Sequence, residues 1–215
     1  MINIALFGLG RIGSMHAQNI FLNNKCSLQY VFDIDQVLAK KIAKKFNSIS
    51  IKNTRIAYTD KNVDVIFITT PTSTHIKYIM EAVKFKKTIF CEKPLDLNIN
   101  KINECRKFIK KYNPKIQVGF NRRYDPGHYA LKKSIQIGEI GKLEKIIITS
   151  RDPAPPSMAY LKVSGGIFRD MTIHDFDLIR FYLGNDEVKE IFATTTNVSD
   201  LRIKKINDYE LAMCL

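Results

Sequence analysis

Six residues of near-continuous apolar character, Ile2-Asn3-Ile4-Ala5-Leu6-Phe7, run directly into Gly8-Leu9-Gly10-Arg11-Ile12-Gly13. A buried strand that ends on G-x-G-x-x-G and opens a helix has few ways to continue. Gly8 permits the tight turn, Gly10 lets backbone approach a pyrophosphate, and Gly13 lets the helix pack on the sheet. The free N–H groups at such a helix start favour anions. The spacing alone is weak; the strand before it and the helix after it give it weight.

The next hundred residues keep the same alternation. Strand-like runs are Ile2–Phe7, Leu28–Phe32, Val63–Thr69, Thr88–Cys91 and Lys115–Val118; helical patterns lie at about 14–23, 36–46, 74–85 and 100–112. Val63-Asp64-Val65-Ile66-Phe67-Ile68 is nearly all apolar and β-branched, as in a strand covered on both faces. The expected fold class is α/β, with residues 1–120 a Rossmann doubly wound parallel sheet. Near residue 120 the pattern changes. We expect a helix to about residue 137, a strand over 143–149, a proline-dense loop at 151–156 and a helix from about Asp170 to Leu183 stopped by Gly184. Strands over 188–195 and 209–215 follow, the last reading as a core strand that leaves apolar surface and an unpaired edge. Residues 121–215 thus read as an incomplete α+β domain with a mainly antiparallel sheet.

Composition excludes several classes. No run of eighteen apolar residues is present, so no transmembrane helix is expected, and Met1 leads into the first strand without a signal-peptide pattern. Cys26, Cys91, Cys105 and Cys214 have no metal-ligand spacing, which reads as reduced thiols, a cytoplasmic protein and no metal. The net charge of +13 sits mostly in residues 1–120, with 20 Lys/Arg against 8 Asp/Glu. It is carried on lysine-rich helix faces without aromatic interleaving. That reads as solvated surface that favours an anionic dinucleotide, not as a nucleic-acid site.

Asp33 ends the second strand 20 residues past Gly13, where a carboxylate accepts hydrogen bonds from an adenosine ribose and repels a 2′-phosphate. NAD is therefore expected over NADP. The alternative makes Asp33 a helix-start residue and Asp35 its cap. Thr70 and Pro71 follow the strand-like run Val63–Thr69 at its cofactor-facing end. His75 either borders the cofactor or is an ordinary first-turn residue. Glu92-Lys93-Pro94 follows the strand Thr88–Cys91, so Lys93 stands at a strand's carboxyl end, where α/β sheets bind ligands. Asp170 and His174, four apart, share one face of the expected helix. An imidazole is suited to accept a proton near neutrality, with a carboxylate to orient it. The alternative is an N-cap and a first-turn histidine.

GLGRIG, Glu92-Lys93-Pro94 and Gly165-Gly166-x-x-x-Asp170-x-x-x-His174-Asp175-x-Asp177 together resemble the Gfo/Idh/MocA oxidoreductases. Gly119-Phe120-Asn121-Arg122-Arg123-Tyr124-Asp125-Pro126 and Ser150-Arg151-Asp152-Pro153 are similar to its inositol 2-dehydrogenase branch. The resemblance runs the length of the chain. It implies NAD bound by Gly8, Gly10, Arg11, Ile12, Gly13, Asp33, Thr70, Pro71, His75, Glu92 and Lys93. It implies Lys93, Asp170 and His174 as the catalytic group, with Arg122 and Asp152 also touching the polyol. The implied reaction is oxidation of a ring hydroxyl of an inositol by hydride transfer to nicotinamide, in a homo-oligomer (dimer or tetramer). Family members continue past this point with further strands, so a C-terminally truncated member is expected. The alternatives are another sugar or polyol dehydrogenase of the family, or an inactive NAD-binding fragment.

Overall fold

The structure, a computed structural model, describes residues 1–215, the side chain of Leu201 excepted. It divides into two units, Met1–Gly119 and Phe120–Leu215.

The first unit runs β1 (Ile2–Phe7), α1 (Arg11–Leu22), β2 (Cys26–Phe32), α2 (Gln36–Lys45), β3 (Ile49–Ser50), α3 (Arg55–Thr59), β4 (Val65–Ile68), α4 (His75–Lys84), β5 (Thr88–Cys91), α5 (Ile99–Tyr112) and β6 (Ile116–Val118). All strand pairs are parallel, in the order β3-β2-β1-β4-β5-β6. The order reverses between β1 and β4, and the carboxyl ends of those strands flank the crevice where open α/β sheets take ligands. β3 and α3 were not expected. Two residues of strand and five of helix are too short to show a period.

The apolar run of β1 is continuous because both of its faces are covered. Ile4 and Leu6 pack with Ala17 and Ile20 of α1 and Ile42 of α2. Ala5 and Phe7 pack with Ile79 and Val83 of α4 and Cys105 of α5. Phe7 is wholly buried among the rings of Phe32, Tyr58 and Tyr78, and burial of such a side chain stabilises by about 2–3 kcal/mol. Helix ends follow local chemistry. The Asp35 carboxylate accepts from Val37 and Leu38 N–H at 2.9 and 3.0 Å to start α2. Lys44 and Lys45 lie in its last turn, where the helix dipole favours cations. Asn113, at φ 45°, turns the chain out of α5.

The second unit comprises α6 (Pro126–Gln136), α7 (Met158–Ser164), α8 (Ile167–Asp170), α9 (Thr172–Leu183), β7 (Ala193–Thr196), α10 (Leu201–Lys204) and β8 (Leu211–Cys214). β7 and β8 pair antiparallel. Three expectations fail here. Residues 143–149 form no strand, because a short β-branched run without a paired neighbour is not a sheet. α7 follows the proline-dense loop unannounced, capped by Ser157. The helix expected from about Asp170 to Leu183 begins at Thr172 instead, and Asp170 closes a separate short helix, α8. α8 begins at once after Gly166, and its first N–H, that of Ile167, donates to the Asp208 carboxylate at 2.9 Å. The Thr172 hydroxyl then donates to the Ile167 carbonyl at 3.1 Å, and the chain restarts as α9 past Met171. β8 carries the expected apolar surface: Leu211 and Met213 are exposed, as are Ile191 and Phe192.

Candidate active site

The three motif glycines differ in what demands them. Gly8 has φ +88°, and a Cβ there would stand 2.6 Å from the Thr70 nitrogen. A Cβ on Gly13 would stand 1.9 Å from the Gly8 carbonyl oxygen. Both are required by the fold itself. Gly10 has an ordinary φ of −59°, and no protein atom lies within 4 Å of the place its Cβ would take. The fold itself does not require a glycine there, so a reason for one would lie outside the protein's own packing. Arg11 and Ile12 open α1 directly after it, Arg11 exposed and Ile12 half-buried, with no acidic side chain in the first turn. The turn is braced from two sides. Leu9 N–H donates to Asp33 Oδ2 at 2.7 Å, and the Thr69 hydroxyl donates to the Gly8 carbonyl at 2.7 Å. Asp33 also accepts from Asp35 N–H at 2.9 Å, so it both orders the start of α2 and stands at the end of β2 beside the glycine turn.

Thr70 is half-buried and Pro71 exposed, and a 3-10 turn at Thr72–Thr74 leads into α4. Thr74 and Thr70 hydroxyls bond at 2.7 Å. His75 does not border this loop as a ligand-facing group. It is 1 % exposed, its Nε2 lies 2.7 Å from the Thr70 carbonyl and its Nδ1 2.8 Å from the Pro94 carbonyl, so both nitrogens are engaged by the protein.

Lys93 is half-buried, two residues past the end of β5. Glu92 turns inward. Its Oε1 meets His16 Nε2 at 2.8 Å, and its carboxylate packs so closely on Gly119 that a Cβ there would be 3.0 Å away. His16, on α1, sits edge-on to Phe67 and Phe90, with ring centroids 5.7 and 5.2 Å apart. Sequence reasoning missed His16; its place three residues past Gly13, one turn into a sheet-facing helix, was the available signal. Burial pushes the Cys91 thiol well above the ordinary range and raises that of Cys105, so both are held neutral and unreactive.

In the second unit Asp170 is the last residue of α8 and His174 lies in the first turn of α9. They are not on one helix, and Asp170 is not an N-cap. The Tyr160 hydroxyl donates to Asp170 Oδ1 at 2.7 Å. His174 is half-buried and meets Phe120 edge-to-face at 6.4 Å. Arg122 reaches Asp175 and, at 3.0 Å, the Ser150 hydroxyl, which itself donates to Asp175 at 2.6 Å. Arg123 pairs two-fold with the buried Asp177 at 2.6 and 2.7 Å, which raises the guanidinium pKa through that hydrogen bonding. Asp152 is exposed in the proline-dense loop.

A six-stranded parallel sheet of order 3-2-1-4-5-6, a glycine turn between β1 and α1, and an acid at the end of β2 make up a Rossmann fold. Residues 2–120 match the family described as an oxidoreductase family with an NAD-binding Rossmann fold, and residues 128–213 match the GFO/IDH/MocA C-terminal domain. The chain belongs to the Gfo/Idh/MocA oxidoreductase family. It is 40% identical over 209 residues to an inositol 2-dehydrogenase of Rhizobium meliloti, covering 97% of this chain and 63% of that relative. A crystal structure of a myo-inositol dehydrogenase from Corynebacterium glutamicum superposes with TM-score 0.94 at 40% identity, covering 100% of this chain and 64% of that one. A scyllo-inositol dehydrogenase from Lactobacillus casei, solved with NAD(H) and scyllo-inositol bound, superposes with TM-score 0.86 at 29% identity over 100% of this chain and 65% of that one. The chain thus spans just under two thirds of the length of the relatives it matches.

Proposed function

We propose that this chain acts in the NAD-dependent oxidation of a ring hydroxyl of an inositol. The observation that carries the cofactor half is Gly10, a glycine that the protein's own packing does not require. Asp33, held at the end of β2 by Leu9 N–H, supports NAD over NADP, since a carboxylate there disfavours a 2′-phosphate. The substrate half rests on the relatives named as inositol dehydrogenases. Bound NAD supplies the hydride acceptor. The protein's residues bind, orient and move the proton. His174 accepts the hydroxyl proton, Lys93 donates a hydrogen bond to the reacting oxygen, and Asp170 orients histidine and substrate, with Arg122 and Asp152 on further hydroxyls. A homo-oligomeric full-length form and a cytoplasmic setting belong to the same proposal; four free thiols agree with the second.

The test reads NADH binding by fluorescence and NAD reduction at 340 nm against myo-inositol, scyllo-inositol and glucose. Polyol-dependent reduction with an inositol preference supports the reading; preference for glucose makes it a sugar dehydrogenase. The Gly10 observation speaks to cofactor binding alone, so the second reading is cofactor binding without turnover. It predicts NADH affinity and no reduction with any polyol. In an active form, Lys93→Met keeps NADH binding and lowers turnover by about 10²-fold or more. Unchanged turnover removes Lys93 from the mechanism.

A further inference from the structure

Lys93 has one histidine attached to the residue before it and another attached to the residue after it. On the near side, His16 Nε2 meets Glu92 Oε1 at 2.8 Å, and Glu92 Oε2 accepts from the Lys93 backbone N–H at 3.3 Å. On the far side, His75 Nδ1 meets the Pro94 carbonyl at 2.8 Å. The two histidines come from different places. His16 is on α1, which the glycine turn opens. His75 opens α4, and its other nitrogen holds Thr70 at 2.7 Å. Thr69, next to Thr70, holds the Gly8 carbonyl. A closed circuit results: glycine turn, Thr69-Thr70, His75, Pro94-Lys93-Glu92, His16, α1 and back to the glycine turn.

We propose that His16 and His75 are positioning residues that clamp Lys93, fixing its backbone to the two loops that form the cofactor side of the sheet. Three features argue against simple packing. The His16 ring is already seated on Phe67 and Phe90, so its reach to Glu92 is an addition to that packing. Gly119 leaves room for the Glu92 carboxylate beside it, since a Cβ there would stand 3.0 Å from that carboxylate. A buried imidazole sits between carbonyls of two loops that share no strand, its nitrogens 2.7 and 2.8 Å from them, and donates its N–H to one. The consequence for turnover rests on the function proposed above; the clamp itself does not.

The substitutions separate the contacts. His16→Phe keeps a ring against Phe67 and Phe90 and removes the partner of Glu92. His16→Gln places an amide nitrogen near the Nε2 position and restores it. His75→Asn keeps a donor near Nδ1 for Pro94, whereas His75→Gln keeps one near Nε2 for Thr70 only. The first readout is hydrogen exchange at the Lys93 backbone amide of this chain. His16→Phe and His75→Gln are expected to speed it about tenfold, with β1 and β4 amides unchanged, and His16→Gln and His75→Asn to stay within about twofold of the parent. In a form that oxidises a polyol, the same two damaging variants lower kcat about tenfold while KM for NAD moves less than about twofold. Parent-like exchange at Lys93 in both His16→Phe and His75→Gln overturns the clamp. If one of them fails to fold, the Gln/Phe pair at position 16 and the Asn/Gln pair at 75 each still decide the matter alone. Expected exchange with no polyol oxidised by the parent leaves the clamp standing and defeats the functional reading.

Discussion

The Tyr160 hydroxyl donates to Asp170 Oδ1 at 2.7 Å and ties the exposed helix α7 to the end of α8. Tyr160 therefore orients the carboxylate proposed to orient His174. Tyr160→Phe is expected to lower kcat about three- to tenfold and to cost less than about 1 kcal/mol of stability, because the pair is solvent-accessible. Steady-state kinetics beside a denaturant melt checks both; an unaltered kcat removes Tyr160 from the site.

Gly10 and Gly13 should part company under the same substitution. Gly10→Ala meets no protein atom, so Tm stays within a few degrees while NADH affinity falls by about tenfold or more. Gly13→Ala drives a Cβ into the Gly8 carbonyl and should destabilise the first unit by about 3 kcal/mol. Thermal melts and NADH titration separate the outcomes. Equal loss of stability in both variants contradicts the assignment of Gly10 to the ligand.

Asp177 is 8 % exposed and depends on Arg123 for its charge partner. Arg123→Leu leaves a buried carboxylate alone and is expected to cost about 2–3 kcal/mol. The double replacement Arg123→Leu/Asp177→Leu should recover much of that loss, since an apolar pair needs no desolvation of charge. A double-mutant cycle in urea measures the coupling.

Glu210 accepts from Ser199 N–H at 2.7 Å, the Ser199 hydroxyl at 2.8 Å, Asp200 N–H at 2.7 Å and also Val198 N–H. The Ser199 backbone bond, followed by its hydroxyl, holds the carboxyl below its ordinary value of 4.5. A depressed carboxylate stabilises the folded state above its unfolded pKa, and this contribution is lost as pH falls through the lower folded pKa. The 198–200 turn should therefore loosen only in acid, below about pH 4.5. Glu210→Gln should flatten that part of the pH–stability curve, followed by amide exchange at Ser199. An identical acid limb in both proteins contradicts the assignment.

The first unit was legible because its signals are local. The β1 run, the glycine spacing and the 3.6-residue patterns of α1, α2, α4 and α5 depend on neighbours within a turn or two, and their positions match to within a few residues. Parallel pairing follows from that alternation, whereas the strand order does not, since the same alternation permits more than one doubly wound order and β3 is too short to announce itself. The second unit was less so. The strand expected over 143–149 lacks a partner, and the break at Met171 follows from Gly166 and Thr172 together with Asp208, 41 residues beyond Ile167.

The candidate site divides the same way. By itself the sequence determined which residues stand at the carboxyl ends of strands: Gly8, Asp33, Thr70 and Lys93. A strand's end and the turn that follows are written in adjacent residues. Only the tertiary structure decided that His75 is buried as a brace, that Glu92 turns inward to His16, and that Asp170 and His174 belong to two helices. Those outcomes depend on partners as far as 76 residues away, and a hydrogen bond selects its partner by distance in space, which no periodicity along the chain records.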